Sequence, residues 1–128
     1  MRPFACDGIL IEDGKILLIK RAAEPFRGMW AVPGGRIEDD ETAEECLVRE
    51  MEEETGLKVA PVKLTGIYSD PARDPRLVIA AAYLVRRIGG KAKAGDDAGE
   101  LAWFDLGKLP ELCTDHAKIV ADAVGQLE

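Results

Sequence analysis

Between Thr42 and Leu57 the chain has the pattern of one helix, and the inward stripe of that helix carries glutamates. At about 100° per residue, Ala43, Cys46, Leu47, Glu50, Met51 and Glu54 fall on a common face, with Glu53 at its edge. Glu44, Glu45 and Glu52 point elsewhere, as solvated acids do. An ionised carboxylate cannot be buried alone, so acids in an apolar stripe must be paired or hold a metal. Carboxylates without clustered His or Cys suit a hard, oxygen-preferring cation such as Mg²⁺ or Mn²⁺.

The flanks define the segment. Pro33-Gly34-Gly35 precedes it as a glycine loop, and Thr42-Ala43-Glu44-Glu45 has the form of a capping box. Arg49 lies one turn from both Glu45 and Glu53. Gly56 stands where a left-handed residue ends a helix.

Gly35, Glu41 and the run Arg49-Glu50-Met51-Glu52-Glu53-Glu54-Thr55-Gly56-Leu57 resemble the signature of the Nudix hydrolases. That signature is Gly-x5-Glu-x7-Arg-Glu-U-x-Glu-Glu-x-Gly-U, with U a bulky apolar residue. Every fixed position is met, with Met51 and Leu57 as U. The resemblance implies an α/β/α sandwich and metal-dependent cleavage of a diphosphate linked to another moiety. It also implies metal ligation by Glu50, Glu53, Glu54 and the backbone carbonyl of Gly34, and scaffolding by Arg49 and Glu41. The general base stays open. It is a box glutamate in some relatives and a residue of a distant loop in others, where this chain offers Asp96, Asp97 and Glu100, with Asp97 or Glu100 preferred.

Among the arginines, Arg73 and Arg76 in the segment Arg73-Asp74-Pro75-Arg76 are the leading substrate-binding residues, with Arg27 behind them, because a guanidinium can grip phosphate bidentately. Pro71 lies near the place where ADP-ribose-hydrolysing relatives carry a proline. The resemblance therefore implies ADP-ribose, cleaved to AMP and ribose 5-phosphate, as the first substrate. Nucleoside triphosphates, oxidised deoxynucleotides included, come second, and a silent nucleotide-binding regulatory domain is a separate class. Relatives that cleave ADP-ribose often pair, which implies a homodimer. Trp30 and Trp103 suit a core better than a base-stacking site, and the lone His116 suits packing or capping better than catalysis.

A length of 128 residues fits one domain over 1–128. The net charge of −7 argues against a nucleic-acid polymer as partner but allows a small phosphorylated substrate bridged by cations. No apolar run approaches a membrane span, and the N-terminus lacks a secretory apolar region, so the cytoplasm is expected. Cys6, Cys46 and Cys113 read as reduced structural thiols.

The remaining pattern predicts a hairpin around Asp13-Gly14, a short extended piece at Trp30–Val32, and strands over Lys58–Tyr68, Leu77–Val85 and Glu100–Phe104. Ile88–Gly99 reads as a loop, and Asp115–Leu127 as a second helix with an apolar stripe. The order β-β-β-α-β-β-β-α predicts an α+β fold, a mixed central sheet between two helices.

Overall fold

The computed structural model describes residues 1–95 and 98–127. Its elements are β1 (Phe4–Glu12), β2 (Lys15–Arg21), β3 (Trp30–Ala31), β4 (Gly34–Arg36), α1 (Ala43–Thr55), β5 (Leu57–Tyr68), β6 (Ile79–Gly90), β7 (Ala98–Asp105) and α2 (His116–Val124). The sheet runs β3-β2-β1-β6-β5, with β4 added on β1 and β7 on β2. It is mixed, as expected: β1 runs parallel to β6 and antiparallel to β2 and β4.

The two faces of the sheet bury two different cores. On one, Ile9, Ile16, Leu18, Ala82 and Leu84 pack with Ile119, Val120 and Ala123 of α2. On the other, Cys6, Leu10, Leu17, Ala81 and Val85 pack with Cys46, Leu47 and Met51 of α1. Alternation along β1 separates these sets, because successive side chains of a strand point to opposite faces. Full burial of a side chain such as Leu47 or Met51 contributes about 1.5–3 kcal/mol, so this stripe holds α1 on the sheet.

Several boundaries differ from the expectation. β6 starts at Ile79 rather than Leu77, β7 spans Ala98–Asp105, and α2 ends at Val124. Two further differences come from distant pairing. Gly34–Arg36 is a short strand rather than a free loop, because its backbone pairs with Ala5, Cys6 and Asp7 of β1. β6 continues to Gly90, through residues that read as the start of a loop, because Arg86 to Gly90 pair with Leu57 to Ala60 of β5. In both places pairing with a distant strand overrides a local glycine signal.

Candidate active site

The acidic helix is positioned from both ends. Thr42 Oγ1 accepts from the Glu45 N–H at 3.1 Å, and the Glu45 carboxylate accepts from the Thr42 N–H at 2.9 Å, which completes the capping box. At the other end Gly56 adopts φ 75°, and its N–H donates to the Glu52 carbonyl. A side chain there would be strained, so the glycine sets where the helix stops. Cys46, Leu47, Met51 and Thr55 are buried, Glu50 and Glu54 are half-buried, and Glu53 is exposed at the edge. The stripe inferred from spacing is the stripe observed.

Arg49 is the hub. Its guanidinium donates to Glu41 at 2.5 and 2.8 Å, to Glu50 at 2.7 Å, to Glu53 at 3.0 Å and to the Arg36 carbonyl at 3.0 Å. One cation thus ties the segment before the helix to three carboxylates. These bonds hold the Glu41 carboxyl down at about 2. Glu50 shifts the other way, pushed up by burial and by neighbouring Glu53 despite its bond to Arg49.

β4 fits against this helix through its missing side chains. A Cβ on Gly35 would lie 1.8 Å from the Glu50 carboxylate, so Glu50 occupies the space that glycine leaves open. The Gly34 N–H approaches Glu54 at 3.4 Å, and Cys46 Sγ lies 3.5 Å from the Gly35 carbonyl. Glu50, Glu53 and Glu54 and the carbonyls of the adjacent glycine strand offer only oxygen atoms, the ligand type a hard divalent cation takes. Among the described residues no three acidic, His or Cys side chains converge as a ready-made cage. The fit therefore rests on the carboxylate surplus around Arg49 and on the space kept by Gly35.

The segment after β6 closes over the end of the same helix. The Lys93 N–H donates to the Thr55 carbonyl and the Gly95 N–H to the Glu54 carbonyl, at 2.7 and 3.1 Å. Glu50, Glu53 and Glu54 share a surface cavity with Lys93 and Gly95. Asp96 and Asp97, which follow in sequence, lie outside the described residues. Glu100 is exposed on β7, paired in register with Lys20 of β2.

The arginines separate. Arg73 and Arg76 line a cavity of about 100 Å³ that also touches Gly34, Gly35 and Glu54. Arg73 is held by Asp115 through two bonds of 2.8 Å and donates to the Val78 carbonyl. Arg76 grips Asp74 at 2.8 and 3.0 Å and lies over the Phe26 ring. Arg27 is exposed and approaches Glu24 at 4.0 Å. Trp30 packs edge-on against Phe104, and Arg87 lies over the Trp103 ring.

Two residues of this cavity were not singled out as site residues from sequence. Asp7 is a buried acid on β1, opposite Gly34 in register. Burial raises its carboxyl to about 7, against the opposing pull of Arg73. His116 Nδ1 accepts from the Val32 N–H at 3.1 Å, tying the start of α2 to the segment before β4. Burial lowers its imidazole to about 4, so it stays neutral and serves as an acceptor. An aspartate inside an apolar strand was the available signal for Asp7. The bond of His116 to Val32 crosses 84 positions and had none.

A family model described as NUDIX domain matches residues 1–123. The chain is 54% identical over 119 residues to the ADP-ribose pyrophosphatase of Methanocaldococcus jannaschii, covering 92% of this chain and 70% of that protein. In structure it is similar to a MutT/nudix family protein from Enterococcus faecalis, with TM-score 0.87, 29% identity, and coverage of 98% of this chain and 62% of that one. It is also similar to a bifunctional NMN adenylyltransferase/ADP ribose pyrophosphatase from Francisella tularensis complexed with AMP and a Mn ion. That match has TM-score 0.86 and 25% identity, with coverage of 98% and 41%. The chain thus spans less than two thirds of either of these structural relatives.

Proposed function

The chain belongs to the NUDIX domain family, and from that premise we propose that it hydrolyses ADP-ribose to AMP and ribose 5-phosphate with the help of Mg²⁺ or Mn²⁺. The observation that carries this reading is the 54% identity to an ADP-ribose pyrophosphatase over nearly the whole chain. The intact Arg49 network supports it as an enzyme rather than a silent binding domain.

In this reading Glu50, Glu53, Glu54 and the Gly34 carbonyl hold the divalent ion. When bound, it neutralises the diphosphate and lowers the pKa of a bound water. Arg49 orients Glu50 and Glu53, and Glu41 fixes Arg49. The base that takes the proton from the attacking water is Glu53, or else Asp97 or Glu100 after β6. Arg73, Arg76 and Arg27 serve the substrate: Arg73 and Arg76 shape the cavity beside the glycine strand, and Arg27 meets phosphate from the loop after β2. We further propose a single domain, acting as a homodimer in the cytoplasm on a small nucleotide. Three buried free cysteines suit a reducing compartment, and no helix among the described residues is long and apolar enough to cross a membrane.

The test is product release in Mg²⁺ from ADP-ribose, canonical and oxidised deoxynucleoside triphosphates, NADH and diadenosine polyphosphates, measured side by side. Selective release of AMP from ADP-ribose is expected. Preference for a triphosphate would replace this reading with nucleotide-pool cleaning, and binding without turnover would replace it with a regulatory domain.

A further inference from the structure

The cavity beside β4 holds one acid that the proposed hydrolysis does not use. Asp7 is 7% exposed, and among the described residues no protein donor bonds its carboxylate. No side-chain oxygen among those residues is sealed away without a partner, so the Asp7 carboxylate opens onto the cavity that it lines. It is not needed to neutralise the nearby arginines, since Arg73 has Asp115 and Arg76 has Asp74. A buried carboxylate without bonded donors is costly, and this one faces a space that reaches Gly34 and Glu54.

Size and lining indicate what that space accepts. A cavity of about 100 Å³ corresponds to roughly three waters at about 30 Å³ each. That suits a single hydroxylated ring and falls short of a whole nucleoside. Its apolar walls include Ala5, Ile19, Ala31, Val32, Val78 and Ala80, and among the described residues no Phe, Tyr or Trp lines it for a base to stack on, while the His116 ring is tied to the Val32 N–H. The Asp7 carboxyl oxygens can accept from the hydroxyls of such a hydroxylated ring.

We propose that Asp7 is a specificity-determining residue that accepts hydrogen bonds from the hydroxyls of a pentose attached directly to the diphosphate. The pentose is the terminal one, because the ribose of the adenosine would bring a base with it. This inference rests on the hydrolase reading above, and it assigns the cavity to the sugar end of the substrate.

The test compares Asp7→Asn with the wild type, in Mg²⁺, on ADP-ribose and on the β-methyl ester of ADP, which has the diphosphate without the sugar. KM for ADP-ribose should rise about tenfold or more, with kcat less affected and the methyl ester changed by less than about twofold. Equal losses on both compounds, or no loss, would overturn the proposal. So would a change in preference between ADP-ribose and its hypoxanthine analogue, since that would place the base in the cavity. Should Asp7→Asn fail to melt cooperatively, Ala31→Val, which narrows the same cavity, must show the same selective rise in KM. If the wild type cleaves none of these compounds, the ADP-ribose reading fails, and calorimetric titration of ribose 5-phosphate decides. Tighter binding by the wild type supports the pentose site, and equal binding, or none by either protein, removes it.

Discussion

Two arginines on opposite sides of the glycine strand do opposite electrostatic work. Arg49 is 25% exposed along its side chain and is shared by Glu41, Glu50 and Glu53. Arg73 is 5% exposed and meets one carboxylate, Asp115, in a two-pronged pair. The first network has more negative charge than its cation can neutralise. The second is balanced and internally satisfied. A balanced buried pair holds structure together, whereas a surplus of acids beside a protein surface is where a dissolved cation gains most.

That contrast is broken most directly at Glu53. In Glu53→Gln, turnover should fall by about 10³-fold or more while the melting temperature stays within a few degrees of the wild type. Unchanged metal-dependent turnover would remove Glu53 from the chemistry. On the balanced side, Arg73→Met leaves Asp115 half-buried without its partner, and stability should fall by about 3–5 kcal/mol in denaturant titration. Adding Asp115→Asn should recover part of that loss. An additive double variant would show that the two residues do not act as a pair.

Gly35→Ala probes the acidic network more gently. The three atoms nearest the new Cβ all belong to the movable end of Glu50, so folding should survive while activity drops roughly 10- to 100-fold. A fall in stability with full specific activity would contradict the cradle described for Glu50.

The smallest effect expected is in the pH dependence of stability. His116 in the folded chain sits at about 4, below the 6.5 of an unfolded imidazole. The unfolded chain therefore takes up the proton first, and stability should be lost as pH falls from 6.5 toward 4. Asp7 works in the opposite sense. Its folded value of about 7 lies above the ordinary 3.8, so its contribution is present at low pH and lost as pH rises between those values. The two should offset in the wild type. In Asp7→Asn the His116 slope should emerge, with about 2 kcal/mol lost between pH 6.5 and 5 by thermal melting. A wild-type profile as steep as that of the variant would deny the compensation.

The acidic helix was legible because everything that defines it is local. Capping box, stripe and terminal glycine lie within Thr42 to Gly56, where a helix brings residues three and four apart together. The mixed sheet between two helices also followed from the order of apolar segments. Asp7 and His116 were read less well because their meaning lies in partners remote along the chain. The register of β1 on β4 sets Asp7 opposite Gly34, and the packing of α2 brings His116 to Val32. Arg73 looked like a phosphate gripper beside Arg76, and folding gave it Asp115 across 42 positions.

The sequence by itself therefore determined the helix, its caps, the face on which its carboxylates stand and the family to which the chain belongs. Periodicity and capping act within a few residues and need no partner from afar. Only the tertiary structure decided which cations are already committed, that Glu50 fills the space left by Gly35, and that a buried acid lines a small cavity beside the glycine strand. Those outcomes depend on strand register and helix docking, where a shift of one residue moves a side chain to the other face of the sheet.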